Sequence, residues 1–600
     1  MKLELNLLGV PQIFRAGEPL APLRGHKAWG ILAYLVLSPD RVNRQQLAAL
    51  LFEDAEDPMA TLRWNLSELR GALGHNNLRG NPIAFHRDDI GTIDVDVLMH
   101  GHWSQALALG EIGDDLLAGI NFSASPSFAV WLQMQRRRLH ATSGAVLREA
   151  ALAKLATGEV GAASDLAARL VSLDPLDENH QVLLVRCLSA AGDGVGAARQ
   201  AAACRTLFAR ELGVQPGPAL SAALHTSTAT PTVRPTAGRA AALAQIEAGE
   251  AAIGAGVLDA GLQCLRRAIA DADMIGDPVL CTRARLSLGS ALVHSARGSD
   301  EEGAAALHEA LTVGTDVSPA LAAAACRELG YIEFLRGQYA RATAWLDRAT
   351  PLAGSDPAEQ ARIATVHGSI LSDTAYYKDA IARLQEALEL ARSIDDTKQR
   401  IYVLSMIGRA HVLRGEDDAA ETALADSVAL ARHSWTAVLP WPLSFQAEVD
   451  LLRGRTDLAA DRLEHAFALA CQLGDPCWEG IAGRGLGKIA MLRGQVERAQ
   501  GLLLDALRRC VRLPDGYLWG KAFTLDALTG LAVAQRMPGA AGWLEELTSL
   551  AGNAGMREFV ARAHGYRGQL GDRTSAAAAR LLAAEIDNPL LTAIKTTPSA

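Results

Sequence analysis

Five stretches of this 600-residue chain superimpose on one another, and they constrain its fold more than any other feature. They are LRGQYARATAWLDRA (Leu335–Ala349), DTAYYKDAIARLQEA (Asp373–Ala387), LRGEDDAAETALADS (Leu413–Ser427), LRGRTDLAADRLEHA (Leu452–Ala466) and LRGQVERAQGLLLDA (Leu492–Ala506), offset by 38, 40, 39 and 40 residues. Ala342, Ala380, Ala420, Ala459 and Ala499 coincide, and so do Leu346, Leu384, Leu424, Leu463 and Leu503. Twelve residues before each alanine stand Gly330, Gly368, Gly408, Ala447 and Gly487. A small residue recurring on both helices of a hairpin lets two backbones approach closely, and the leucine is expected to fill the space between neighbouring hairpins. Stacked hairpins of this kind build a superhelix with a concave groove.

The pattern resembles tetratricopeptide repeats with loops a few residues longer than usual. Less regular copies surround Gly256 and Gly298, and Gly571 opens a final one. The repeat region is expected over 240–587, followed by a tail at 588–600. Residues 99–224 read as the same class with shorter loops, with Gly158 and Gly192 at turns 34 residues apart. Between the two, His225–Arg239 is rich in Thr, Ser, Pro and Gly without apolar periodicity, which reads as an extended linker.

Residues 1–98 mix periods. KLELNLLG (Lys2–Gly9) alternates toward a turn at Ala16-Gly17-Glu18-Pro19, as a hairpin would. HKAWGILAYLVL (His26–Leu37) is an apolar helix. Asn43 opens a second one, with Gln46 completing a capping box. Asp57 is the natural N-cap of a third, with Pro58 at its first position and Gly74 past its end. IAFHRDDIGTIDVDV (Ile83–Val97) returns to alternation as a second hairpin around Arg87-Asp88-Asp89. Strands, three helices and a hairpin are the order of a winged helix-turn-helix. The fold class is therefore mainly α: an N-terminal α+β winged helix, a repeat-like helical middle and a C-terminal superhelix.

On SLDPLDENHQVLLVRCLSAAG (Ser172–Gly192) and ARELGVQPGPAL (Ala209–Leu220), the middle segment resembles the bacterial transcriptional activator domain. Residues 1–98 resemble the OmpR-like winged helix that precedes that domain in the Streptomyces antibiotic regulatory protein family. The resemblance covers roughly the first 225 residues. It implies a cytoplasmic transcription regulator that binds promoter DNA and contacts RNA polymerase or a second subunit, a homodimer being one such arrangement, with the repeats as an elaboration.

In the third helix Leu62, Leu66, Leu69 and Leu73 form the core stripe. Ala60, Trp64, Ser67, Glu68 and Gly71 then point outward, with Arg63 and Arg70 on one shoulder and Thr61 and Asn65 on the other. In a winged helix that face enters the major groove. The expected DNA-binding residues are Thr61, Arg63, Trp64, Ser67, Glu68 and Arg70, joined by His86 and Arg87 of the wing. Here the sequence departs from the family: recognition helices usually read S-R-L-R-R where this one reads Ser67-Glu68-Leu69-Arg70-Gly71. Residues 1–98 hold 10 Lys/Arg against 12 Asp/Glu. Phosphate neutralisation supplies most non-specific affinity, so the domain is expected to bind DNA weakly by itself. The alternative is a repeat scaffold whose winged helix has lost DNA affinity.

Counting from the small position of each repeat, the concave side is expected to show Arg327, Tyr331, Arg362, Thr365, Ser369, Tyr402, Ser405, Arg409, Trp441, Ser444, Glu448, Arg484 and Lys488. Exposed arginines among aromatics suit an acidic peptide, another protein surface or a small anionic effector.

No catalytic signature or cofactor motif stands out, and an enzyme is not expected. AGRGLGKI (Ala482–Ile489) lacks the first glycine and the hydroxyl of a phosphate-binding loop, and Gly487 is already explained by the repeat. His100-Gly101-His102 has no further ligands to complete a metal site. The eight cysteines are scattered without paired spacing, as in reduced cytoplasmic proteins. The start lacks a signal peptide's pattern, and the longest early apolar run, Ile31–Leu37, is far too short to span a membrane.

Overall fold

The computed structural model describes residues 2–38, 42–110, 112–224, 238–296, 298–513 and 516–591. These fall into two compact units, one of 1–146 with 532–586 and the other of 147–531 with 587–590. Neither follows the expected bounds at 98 and 240. Most of the expected linker lies outside the described residues, as does most of the tail.

In the first unit β1 (Leu3–Asn6), β2 (Gln12–Arg15) and β3 (Glu18–Pro19) form an antiparallel meander. α1 (His26–Leu37), α2 (Arg44–Leu51) and α3 (Pro58–Leu73) follow, then β4 (Leu78–Arg79), β5 (Ala84–Phe85) and β6 (Ile90–Ile93). The expected second hairpin is corrected in two ways. β5 pairs with β4 to make the wing, while β6 joins β1 in parallel, giving the sheet order β3-β2-β1-β6. The last residues of the expected strand, from Asp94, instead form α4 (Asp94–His100). Asp94 is buried, and its Oδ2 accepts from the amides of Leu7 and Leu8 at 2.7 Å each, fixing the end of β1.

α3 is bounded as its caps require. Asp57 Oδ1 accepts from the Ala60 amide at 2.9 Å, Pro58 begins the helix and Gly74 leaves it at φ 96°. Leu62, Leu66, Leu69 and Leu73 are buried. At α2 Asn43 does cap, through the Gln45 amide, but no capping box forms. The Gln46 side chain instead donates to Glu585 at 2.5 Å, and so does the Tyr34 hydroxyl at 2.7 Å. Glu585 ends the C-terminal hairpin Arg557–Gln569/Arg573–Ala584, which therefore packs on the winged helix.

Residues beyond 98 are built into the same unit. α5 (Trp103–Ala108) starts at His102, whose side chain caps it. The segment after it returns to the sheet, where the Leu117 amide donates to Leu7 O at 2.9 Å. Phe122 and Phe128, the latter on α6 (Pro126–Ala156), pack against α1 at Gly30. A Cβ there would stand 2.8 Å from the Phe122 ring, so a side chain is sterically barred.

In the second unit helices Val160–Leu173, Glu178–Ala190, Gly194–Glu211 and Pro218–Leu224 precede the hairpins of the array. Those carrying the repeat are Pro319–Leu335/Tyr339–Ala353, Pro357–Asp373/Tyr377–Ser393, Thr397–Arg414/Asp417–Ser434, Pro440–Leu452/Thr456–Leu473 and Pro476–Leu492/Val496–Cys510. The aligned alanines are fully buried. The leucine acts within its hairpin and, at Leu463, also between hairpins, where it packs on Gly485 of the next one. A Cβ at Gly368 would meet Leu384 Cγ at 2.6 Å, and one at Gly487 would meet Leu503 at 2.8 Å.

Neighbouring hairpins are tied by charge. In three of the four LRG turns the arginine reaches an acid about one repeat earlier: Arg336 to Glu301 (2.9 Å), Arg453 to Asp417 (2.7 Å) and Arg493 to Asp457 (2.7 Å), while Arg414 pairs with Glu416 (3.1 Å). α6 is anchored to the array in the same way, with buried Arg148 on Glu301 (2.7 Å) and Glu333 (2.6 Å), and buried Glu149 on Arg341. Residues 147–224 and the repeats up to 531 are thus one packed body.

Candidate functional site

α3 presents a narrow outward ridge. Trp64 is 53% exposed, and Arg63, Ser67 and Gly71 are exposed beside it. Arg63 makes no hydrogen bond or ion pair among the described residues. Such a ridge can offer a guanidinium, a hydroxyl and an indole edge to bases or phosphates.

The other residues expected to meet DNA are engaged within the fold. Glu68 is half-buried, and its Oε1 accepts from the Arg24 amide at 3.1 Å, tying α3 to the loop before α1. Arg70 donates through Nε to Leu78 O at 3.1 Å, which fixes β4 of the wing. Thr61 donates to Asp57 O at 3.0 Å. Asn65, expected on a shoulder, is buried and donates to Thr61 O at 2.9 Å, because the fourfold periodicity of the leucine stripe brings it under the neighbouring turn. His86 is half-buried, and its amide donates to Asn77 O at 2.8 Å. Arg87 pairs with Asp96 and donates to Val36 O at 3.0 Å. Three basic residues that the helix-face reading missed stand nearby. Arg15 reaches Ala72 O at the end of α3 (3.2 Å), Arg24 lies beside Glu68, and exposed Arg79 is on β4. They come from strands and a loop, where helical periodicity gives no signal.

The repeat face is different. The expected exposure of Arg409 and Arg484 is wrong. Arg409 is fully buried, donating to Asp373 (2.7 Å) and the Tyr517 hydroxyl (2.8 Å), with its guanidinium 4.4 Å from the Trp519 ring centre. Burial pushes the Asp373 carboxyl above the usual range, against the pull of Arg409. Arg484 is 6% exposed, lies 3.3 Å over the Phe523 ring and pairs with Glu448 at 2.7 Å. Lys488 also pairs with Glu448, at 2.5 Å. Burial would raise Glu448, but the two cations hold it below the usual range. Arg327 pairs with Glu328 (2.8 Å) and Glu359 (2.6 Å). Arg362 is exposed, 3.6 Å from both Glu359 and Asp396. Thr365, Ser369, Ser405 and Ser444 are buried, and each hydroxyl donates to a backbone carbonyl of its own helix. An anionic partner therefore finds the array's arginines already balanced. Asp373 and Glu448 each stand about one repeat from their arginine, an offset that face-by-face reading does not search.

The aromatic positions are brought together. Tyr331 and Tyr402 are half-buried and, with Trp441, line a cleft that also includes Phe334, Trp478 and Tyr517.

Residues 96–226 match the family of the bacterial transcriptional activator domain. This chain carries that domain. No curated protein matches the sequence. Solved structures with related folds include the Rap protein complexed with competence and sporulation factor (13% identity, 57% of this chain and 96% of that one, TM-score 0.43). Others are Mycobacterium tuberculosis EmbR in complex with a low-affinity phosphopeptide (22%, 37% and 64%, TM-score 0.29) and aspartyl phosphate phosphatase F from Bacillus subtilis (12%, 72% and 95%, TM-score 0.37). Likeness at this level carries no functional argument. The domain match falls on the helices that contain DPLDE and ELGV, the residues that carry the resemblance in sequence. No described helix is long and apolar enough to cross a membrane, and no described group of His, Cys, Asp or Glu is placed to hold a metal ion.

Proposed function

We propose that this chain is a transcription regulator of the Streptomyces antibiotic regulatory protein type. α3 enters the major groove of promoter DNA, the activator domain contacts RNA polymerase or a second copy, and the repeat array senses a partner or ligand. One observation carries the reading: the exposed Arg63–Trp64–Ser67 ridge on the third helix of a winged-helix unit, in a chain that carries an activator domain. A tryptophan left half in water on an otherwise polar ridge calls for a partner. With one unpaired cation on the ridge, affinity depends on additional contacts, for which Arg15, Arg24 and Arg79 are placed, and on dimerisation. The inward engagement of Glu68 and Arg70 favours the competing reading, a winged helix that docks protein.

Sequencing of genomic fragments retained by the purified full-length chain separates the two. Enrichment of discrete promoter sites, lost in Arg63→Ala/Trp64→Ala, is the expected result. Retention without site preference, equal in the double variant, contradicts DNA recognition by this ridge.

A further inference from the structure

We infer that the aromatic cleft of the array is a ligand site for an uncharged, largely aromatic small molecule. Its role as an effector site rests on the sensor reading above; its occupancy does not. The cleft is concave and lined mostly by aromatic and aliphatic side chains, as small-molecule sites are. Four helices contribute to it: Pro319–Leu335 with Tyr331 and Phe334, Thr397–Arg414 with Tyr402 and Met406, Pro440–Leu452 with Trp441, and Pro476–Leu492 with Trp478. Tyr517 closes one side.

Charge decides against an anion. Among the described residues lining the cleft, Asp475 is the only charged one, and none is a lysine or arginine. Asp475 caps its helix, accepting from the amides of Cys477 (3.0 Å) and Trp478 (3.1 Å). Arg409, next to Trp441 and Tyr517, is balanced by Asp373. An incoming anion would meet a carboxylate with no free cation in return.

Chemistry also decides against a peptide. Holding an extended backbone needs side-chain amides, and the described lining contains neither Asn nor Gln. What it offers is flat, largely apolar aromatic surface. Stacked and edge-on ring contacts reward planar aromatic occupants. The buried indole N–H of Trp441 has no acceptor among the described residues, so a ligand acceptor would supply the partner it lacks.

The test uses two probes with the same rings. N-phenyl-1-naphthylamine is neutral, and 8-anilino-1-naphthalenesulfonate adds one negative charge. Titrated into the full-length chain, the neutral probe is expected to bind saturably at one site and the sulfonate at least about tenfold more weakly. Tyr331→Ala and Tyr402→Ala, at half-exposed positions, should each weaken the neutral probe by about 3–10-fold without loss of helicity. Sulfonate binding as tight as the neutral probe, absence of saturable neutral binding, or indifference of both variants in folded protein would each overturn the inference. Promoter affinity measured with and without saturating neutral probe is a separate readout. A bound probe that leaves DNA affinity unchanged removes the sensor reading and leaves the ligand site standing.

Discussion

The outward face of α3 and the inner face of the repeat array are written with the same residue types, arginine beside tryptophan and serine, yet they hold them differently. On α3, Arg63 stands in water next to a half-exposed Trp64. In the array, Arg409 lies beside Trp441 and Trp519 with none of its surface exposed and its charge balanced by Asp373. The difference lies in what surrounds each helix. α3 has a neighbour on one side only. An array helix has neighbouring repeats on both sides, and acids recur there at the repeat interval. Arginine on a helix face is thus evidence of a site only once the acids one repeat away have been counted.

The largest effect that sharpens this contrast is structural. Arg409→Ala leaves Asp373 buried with only the hydroxyls of Tyr339 and Tyr517, and is expected to cost about 3–5 kcal/mol in denaturant unfolding. A loss below about 1 kcal/mol would mean that the pair is solvated and the groove open to anions.

Acid separates the two units next. His564, in the C-terminal hairpin that packs on the winged helix, is 5% exposed, and burial pulls its imidazole down to about 4. Between pH 6.5 and 4 the unfolded chain takes up a proton there that the folded chain refuses. Stability of that unit therefore falls across this window, by about 3 kcal/mol in all, and is unaffected above it. In the array, burial alone would raise Glu301 and Glu328. Arg148 and Arg336 instead hold Glu301 well below the usual range, and Arg327 with His294 does the same for Glu328. Their contribution persists at pH 5 and is lost as pH falls below 4.5. Denaturant midpoints at pH 7, 5 and 4 should show the early decline, and His564→Gln should flatten it. A profile level from pH 7 to 5 contradicts the assignment.

The smallest effect is expected at Arg362, the exposed arginine of the array. Its pairs at 3.6 Å are weak, so Arg362→Ala should change stability by less than about 0.5 kcal/mol. A change of several kcal/mol would place it with Arg409.

Much of this architecture was legible because it is local or repeated. The array shows itself through small residues and leucines at fixed spacing, and α3 through Asp57, Pro58 and Gly74. The sheet was not legible. β4 and β5 are two residues each, and β6 pairs with a strand more than eighty residues earlier, which leaves no local pattern. The packing of residues beyond 98 on α1 was illegible for the same reason, since Phe122 meets Gly30 only in three dimensions. The face of α3 was half legible. Its leucine stripe gave the orientation, but the Arg24 amide that holds Glu68 and the carbonyl that holds Arg70 belong to the loop before α1 and to β4.

The most direct test of the account is the salt dependence of promoter binding by the full-length chain and by Arg63→Ala, with helicity and stability checked in both. Arg63 contributes nothing to the packing, so stability should stay within about 0.5 kcal/mol. Affinity should fall by about 1–3 kcal/mol if Arg63 reads a base. If it meets a phosphate, the log–log salt slope should instead flatten by roughly 0.9. Unchanged affinity together with an unchanged slope would contradict the claim that the α3 ridge meets DNA.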